Sequence, residues 1–341
     1  MSVNENIKIR TTECPRCMAC GSSGNELYRE IVDQLYGAPG VWTIKRCSNL
    51  ECALLWLDPM PLAGDINLAY RNYYTHQEIG RESRKSSSHL AIKRIHSVLA
   101  VMMGFYSAKR NRDYRYLRNR PAGRLLDVGC GAGEYLAFMR DHGWESEGVD
   151  FDVEAVESAR ARFGVNAHCR QLEEMNYPDA HFDAITMNHL IEHVSDPVRL
   201  LLECRRVLKP DGLIVVTTPN SCSLGHRMYA KYWRGLEPPR HLHIFSPMSL
   251  RFLAKRAGFG KVEVFTCGVN SGYFFKESIK IERKETSNIQ GEQKSVPMFV
   301  WVKVAILELY ELWRLRSNSR IGEEAVMICR NDGDNMPIAN E

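Results

Sequence analysis

"LLDVGCGAGEYL", residues 125–136, decides how the rest of the chain is read. The stretch Leu125–Val128, apolar except for Asp127, breaks into a loop with glycines at 129, 131 and 133, then into a helix-forming sequence. Glycine lets the chain turn sharply from strand to helix and leaves the backbone bare enough for a ligand to approach. Outward from this loop, "GRLLDVGC", "EYLAFMRDHG", "ESEGVD", "VEAVESARARFG" and "VNAHC" read as strand, helix, strand, helix, strand. That alternation predicts a parallel sheet with crossover helices, an α/β architecture.

The spacing of the loop speaks to its ligand. A dinucleotide fingerprint needs a small residue at position 134, where this chain has Glu134, so pyrophosphate on the helix amino terminus is disfavoured. Asp127, just ahead of the loop, suits a ligand that carries a cation. Asp150 closes the second strand, about where an acid meets ribose hydroxyls in doubly wound folds, and its two oxygens can accept from both hydroxyls. A later strand, "DAITM", runs into "NHLIEHV". Asn188 and His189 therefore fall at the carboxyl end of the sheet, where such folds bind ligands.

Four motifs in order, "LLDVGCGAGEYL", "GVDFD", "FDAITMNHLIEHVSDP" and "RVLKPDGLIVVTTPN", resemble the class I S-adenosylmethionine-dependent methyltransferases over residues 121–265. The resemblance implies a Rossmann-like seven-stranded sheet, mostly parallel with the last strand antiparallel, and S-adenosyl-L-methionine as cofactor. It implies that Asp127, Gly129, Gly131 and Gly133 meet the amino-acid end of the cofactor and that Asp150 holds the ribose. Phe151 and the "QLEE" stretch, with Leu172, would lie by the adenine, and Asn188 and His189 would face the methyl group. "KVEVFTCGV" and "GEEAVMICR" are then the last two strands, separated by an insertion near 275–320 that carries the apolar helix of 298–315.

Methyl transfer is a displacement at a sulfonium, so the protein must align the nucleophile, exclude water and remove a proton from a hydroxyl or activated carbon. His189 and His241 are the candidates to take that proton, with His193 beside them in the catalytic set. Helical spacing would put His189, Glu192 and His193 on one turn. The pattern is formally that of the inverzincins, but here it follows a cofactor-binding strand, which dismisses protease activity. Some ubiquinone-type and RNA-end methyltransferases resemble this stretch, with a glutamate in place of His189, and bind a divalent metal there. His241 and His243 in "EPPRHLHIFS" would add ligands, and Arg240 offers a planar fork for a carboxylate or phosphate.

Near the amino terminus, "CPRCMACGSSG" and "RCSNLEC" place thiols in close pairs. Zinc takes four soft ligands in a tetrahedron, and two turns that each supply two thiolates deliver them with little loop entropy. Cys17 and Cys20 form one pair and Cys47 and Cys52 the other, with Cys14 as a spare thiol. Gly21 fits a knuckle whose backbone turns back on the sulfurs. Between the pairs the chain reads as a ribbon turning at "GAPG", and "ALLWLDPMP" continues as an apolar strand. So small a unit has a thin core, and metal would supply the missing stability. Together with "YYTH", these cysteines resemble bacterial methyltransferases with an amino-terminal zinc module, including sugar C-methyltransferases, whose further carboxy-terminal domain is not expected here.

The expected organisation is a cysteine module over 1–75, a basic helical linker over 76–120, the methyltransferase domain over 121–330 and a disordered tail over 331–341. Residues 81–120 hold eleven basic residues against two acidic ones, first of all a solvated face, then a lure for an anionic small substrate, and last a stripe for RNA or anionic lipid. A net charge of +4 over 341 residues makes nucleic acid a poor default partner. "MSVNENIKIR" has no apolar core of the length a secretory signal needs, which points to the cytoplasm and to reduced cysteines. The apolar stretch 297–313 is interrupted by Lys303 and Glu308; a buried amphipathic helix is expected, peripheral contact with a membrane being the alternative.

These readings converge on a methyltransferase acting on a small or medium-sized polar metabolite, such as a sugar or glycan precursor. The competing readings are a metal-assisted O-methyltransferase of RNA ends or catechol-like rings, and a non-catalytic zinc- and RNA-binding protein with a degenerate methyltransferase fold.

Overall fold

The computed structural model describes residues 8–70, 105–284 and 297–333. "YYTH", the linker up to residue 104 and nearly all of the tail lie outside the described residues. In chain order, the first strands are β1 (Thr11–Thr12), β2 (Gly24–Ile31), β3 (Trp42–Cys47), β4 (Leu55–Leu57) and β5 (Met60–Pro61). There follow α1 (Phe105–Asp113), β6 (Arg124–Val128), α2 (Glu134–Asp141), β7 (Glu145–Asp150), α3 (Val153–Phe163), β8 (Asn166–Cys169), β9 (Phe182–Asn188), α4 (Pro197–Val207) and β10 (Leu208–Pro219). The chain ends with α5 (Leu224–Tyr229), β11 (His243–Ile244), α6 (Pro247–Arg256), β12 (Lys261–Cys267), α7 (Ser271–Glu282), α8 (Met298–Leu315) and β13 (Glu324–Arg330).

Two compact units emerge, and they do not follow the linear division at 75 and 120. The first comprises Met1–Ala108, Pro219–Ser246 and Thr266–Glu324, the second Lys109–Thr218, Pro247–Phe265 and Ala325–Glu341. One physical reason, for the segment 219–246, lies in a single strand: β11 pairs antiparallel with β4, His243 opposite Trp56. The sheet of the cysteine module, in the order β11-β4-β3-β2, is completed by residues expected to belong to the methyltransferase domain.

In the second unit, the sheet order is β12-β13-β10-β9-β6-β7-β8. β6 pairs in parallel with β7 and β9, β7 with β8, and β9 with β10. β13 runs antiparallel beside β10: Asn331 N–H donates to Gly212 O at 3.0 Å and accepts at its carbonyl from Asp211 N–H at 2.7 Å. Leu125 to Val128 are all buried, as befits a central parallel strand covered on both faces. Local chemistry sets the crossovers. Asp152 caps α3 by accepting from Glu154 N–H and Ala155 N–H, Gly164 ends it in the left-handed region, and Asp196 with Pro197 starts α4. Leu136, Val156, Ala159 and Ala167 fill the space where α2 and α3 cover the sheet.

In the first unit, β2 and β3 form the ribbon between the cysteine pairs. Asp33 builds their connection, its oxygens accepting from Leu35, Tyr36 and Ala38 N–H at 3.0–3.1 Å. Elsewhere in this unit three neighbouring carboxylates are fully buried: Glu311 of α8, Glu323 and Glu324. Glu311 Oε1 accepts from Glu323 N–H at 2.8 Å, while Glu323 accepts from Gly225 N–H and, at 2.7 Å, from Trp233 Nε1–H. Burial pushes the Glu311 carboxyl well above the usual range and Glu323 up to about 7. A carboxyl whose folded pKa is raised stabilises the fold below its unfolded pKa and loses that contribution as pH rises through the folded one. Thermal melts should therefore fall from pH 6 to pH 8, and Glu311→Gln should flatten that slope; an unchanged slope would refute the assignment.

Among the described residues, no helix is long and apolar enough to cross a membrane.

Candidate functional site

The three loop glycines all take positive φ, +78°, +52° and +82° at Gly129, Gly131 and Gly133, but they face different surroundings. A Cβ at Gly133 would stand 2.7 Å from the Ala159 Cβ, and one at Gly129 would stand 3.0 Å from Leu190. These two glycines serve packing. At Gly131 a Cβ would meet nothing within 4 Å, so this is the member of the loop that opens onto free space. Its N–H donates to Asp150 Oδ2 at 2.8 Å, and Asp152 N–H donates to Oδ1 at 3.0 Å. Burial raises the Asp150 carboxyl against the opposing pull of those N–H groups. Phe151 N–H adds to that pull, and a carboxylate with about four acceptor sites has room for a further donor. Phe151, next in the chain, is 54% exposed, whereas the Leu172 side chain lies in the core.

Asp127 is fully buried. Its Oδ1 accepts from Arg115 and, at 2.8 Å, from Thr186 Oγ1, and among the described residues no donor reaches Oδ2. Desolvation lifts this carboxyl to about 6 despite Arg115. The Arg115 guanidinium lies 3.7 Å from the Tyr135 ring centroid, a cation–π contact, and its side chain is 14% exposed. Arg115 and Tyr135 escaped the sequence reading. Tyr135 stood inside the quoted motif, while Arg115 was one of eleven basic residues in its segment and carried no spacing signal of its own.

At the carboxyl end of β9, Asn188 is half-buried and His189 follows with φ +53°, a conformation that costs a non-glycine residue about 1–3 kcal/mol and gathers at functional sites. His189 N–H donates to Thr217 O at 2.8 Å, Nδ1 stands 3.2 Å from Glu192 Oε1, and Glu192 Oε2 accepts from Thr218 Oγ1 at 2.9 Å. The expected helical turn is absent: Ile191–His193 is a short 3-10 turn and His189 precedes it. His189 and Glu192 nonetheless meet, because the left-handed residue folds the imidazole back over the turn.

In the first unit, the sulfurs of Cys17, Cys20, Cys47 and Cys52 all lie within 4.8 Å of one another. The Cys17–Cys52 and Cys20–Cys47 separations are 3.7 and 3.4 Å. Four sulfurs about 2.3 Å from a zinc ion stand about 3.8 Å apart, so the cluster fits that ion. The Cys52 thiol donating to Cys17 pulls the latter down to about 5 and is itself pushed up, while burial raises Cys47 to about 12. Cys14 stands outside the cluster, its N–H on Asp58 and its carbonyl accepting from Trp56 Nε1–H.

The reading of Arg240 as an open fork is overturned. Arg240 is fully buried, with Nε on Glu237, Nη1 on the Ala69 carbonyl and Nη2 on Asp33, each at 2.8 Å. Its donors are spent inside the unit. His241, 5% exposed, belongs to the same network, Nδ1 at 2.8 Å from Gly235 O and Nε2 at 3.5 Å from Glu237. His243 sits in β11 and is buried too.

Residues 103–264 match a family described as a methyltransferase domain. A probable S-adenosylmethionine-dependent methyltransferase from Mycolicibacterium smegmatis is 38% identical over 109 residues, covering 31% of this chain and 42% of that protein. A ubiquinone biosynthesis O-methyltransferase from Coxiella burnetii is 33% identical over 101 residues, 28% of this chain and 43% of that protein. The matched stretch thus spans less than half the length of either relative. A solved S-adenosylmethionine-dependent methyltransferase from Archaeoglobus fulgidus aligns with a TM-score of 0.44 at 22% identity, over 66% of this chain and 93% of that one. Residues 103–264 thus match a methyltransferase domain, and with its loop, its strand order and an antiparallel last strand at Glu324–Arg330 the chain is similar to the class I S-adenosylmethionine-dependent methyltransferases.

Proposed function

We propose that this protein transfers a methyl group from S-adenosylmethionine to a hydroxyl of a small or medium-sized polar metabolite. The observation that carries the reading is the open face of Gly131 beside Asp150, a carboxylate that would accept from the ribose hydroxyls. Bound there, the cofactor would supply an electrophilic methyl group on a sulfonium. Arg115 would hold its carboxylate, and the Asp127 Oδ2 that lacks a donor would take its ammonium group. Gly129 and Gly133 hold the loop in shape, Phe151 and the turn that starts at Leu172 would flank the adenine, and Asn188 would lie toward the methyl group.

An oxygen acceptor is favoured by the O-methyltransferases among the relatives, and the sugar or glycan class remains the substrate proposed. A hydroxyl acceptor must lose a proton. His189 would take it: Glu192 accepts from Nδ1–H, leaves Nε2 as the basic nitrogen and stabilises the imidazolium that forms. His241 and His193 are the less supported bases, His241 being held in the Arg240 network. The cysteine cluster would hold one structural zinc ion.

Isothermal titration of the full chain with S-adenosylmethionine tests the reading. Binding is expected, and His189→Ala should keep that affinity within twofold while slowing transfer of labelled methyl to a polar-metabolite fraction by about 10²–10⁴-fold. A chain that binds no cofactor would overturn the proposal.

A further inference from the structure

Helix α8 carries a second apolar face that its own unit does not bury. On one side it buries Val300, Val304 and Glu311. On the other, Phe299, Val302, Ile306, Tyr310 and Trp313 are 39–60% exposed. Steps of three and four residues at 100° each place these five in one sector about 80° wide, running about 21 Å along the axis. A shallow groove lined by Met298, Phe299, Val302, Lys303, Ile306 and Leu307 follows its first half. A contiguous apolar stripe of this kind marks an interaction surface.

The charges around the stripe identify what covers it. Lys303 and Arg314 border it on the helix, the Arg283 guanidinium lies 4.5 Å from the Phe299 ring centroid, and that of Arg314 lies 6.0 Å from Tyr310. Arg316 is exposed one turn further on. The acids of the helix point elsewhere, Glu311 into the core and Glu308 against Gly272. An apolar stripe edged by cations disfavours a second copy, because two such faces brought together would oppose like charges. It matches the boundary between acyl chains and anionic headgroups, where an amphipathic helix submerges its apolar side and lays Lys and Arg on the phosphates. Tyr310 and Trp313 have the amphipathic rings that settle at that depth.

We propose that α8 seats the protein on the surface of a bilayer containing anionic lipid. This inference does not depend on the methyl-transfer reading. Co-sedimentation of the full chain with vesicles of phosphatidylcholine and phosphatidylglycerol, against phosphatidylcholine alone, tests it. The wild type should bind the mixed vesicles, lose binding at high salt and bind the neutral vesicles at least tenfold more weakly. Ile306→Glu with Trp313→Glu should weaken binding at least tenfold while thermal melting stays as in the wild type, because both side chains face solvent. Lys303→Glu with Arg314→Glu should do the same through charge alone. Binding undiminished by either pair would place the contact elsewhere and overturn the proposal. So would a dimer in solution that the Ile306 and Trp313 changes dissolve, or no binding to anionic vesicles at all.

Discussion

Cys52→Ser is expected to release about one zinc ion per chain and to melt the sheet built on β3 and β4. Cys47 and Cys52 bracket the turn between these strands, where Cys47 N–H donates to Leu54 O at 2.9 Å. The Cys52 carbonyl also accepts from Ser246 Oγ at 2.9 Å. Removing one thiolate therefore loosens the turn, the edge of the sheet and the link to residue 246 together. Structural zinc sites contribute about 10–16 kcal/mol of apparent binding free energy, comparable with the whole stability of a typical domain, about 5–15 kcal/mol. Elemental analysis of protein purified without added metal, joined to a thermal melt, reads both effects. Cys14→Ser is the control and should keep the metal, since Cys14 acts through its backbone. A wild type without zinc, or a Cys52 variant that retains it, would sink the assignment.

Asp150→Ala should raise the dissociation constant for S-adenosylmethionine about a hundredfold. Hydrogen bonds to a charged group are worth about 1.5–3 kcal/mol each, and on the proposed reading the side chain accepts from the two ribose hydroxyls. Losing both bonds costs about 3 kcal/mol or more, at 1.4 kcal/mol per tenfold. The alanine also orphans Gly131 N–H, which donates to Asp150 at 2.8 Å. Asp150→Asn separates the two effects, because it keeps one acceptor and can still hold the loop; it should cost about tenfold. Equal affinities for wild type and alanine variant by calorimetry would remove Asp150 from the site.

The α/β half of the fold was legible because its signals are local. "LLDVGCGAGEYL" contains strand, turn and helix within twelve residues, and the crossovers through α3 and α4 carry their own caps, Asp152 and Asp196. The cysteine cluster was legible for the same reason, since each pair sits on one turn. What escaped was set by distant partners. "RHLHIF" reads as a loop over a substrate, but β11 finds β4 nearly two hundred residues away, and Arg240 spends its fork on Asp33 across a separation of 207. A free-looking guanidinium in a sequence says nothing of an acid that folding will bring to it. The histidine at 189 was placed correctly at the end of its strand, yet its meeting with Glu192 comes from a left-handed backbone and not from helical spacing.

The late arrival of β11 has a consequence for how the protein is made. Ser246 lies 194 residues beyond Cys52, and at about 5–20 residues per second a ribosome needs roughly 10–40 s to synthesise that interval. Throughout it, β4 leaves the exit tunnel with one edge unpaired and the apolar triplet Leu55, Trp56 and Leu57 uncovered. An exposed strand edge on a nascent chain is a template for aggregation. The four thiols, all upstream of residue 53, are complete long before the edge is closed, so an early metal ion would pin the ribbon while its last strand is still being translated. Zinc starvation should then act at synthesis, lowering the yield of soluble chain more than it lowers the stability of chains already folded.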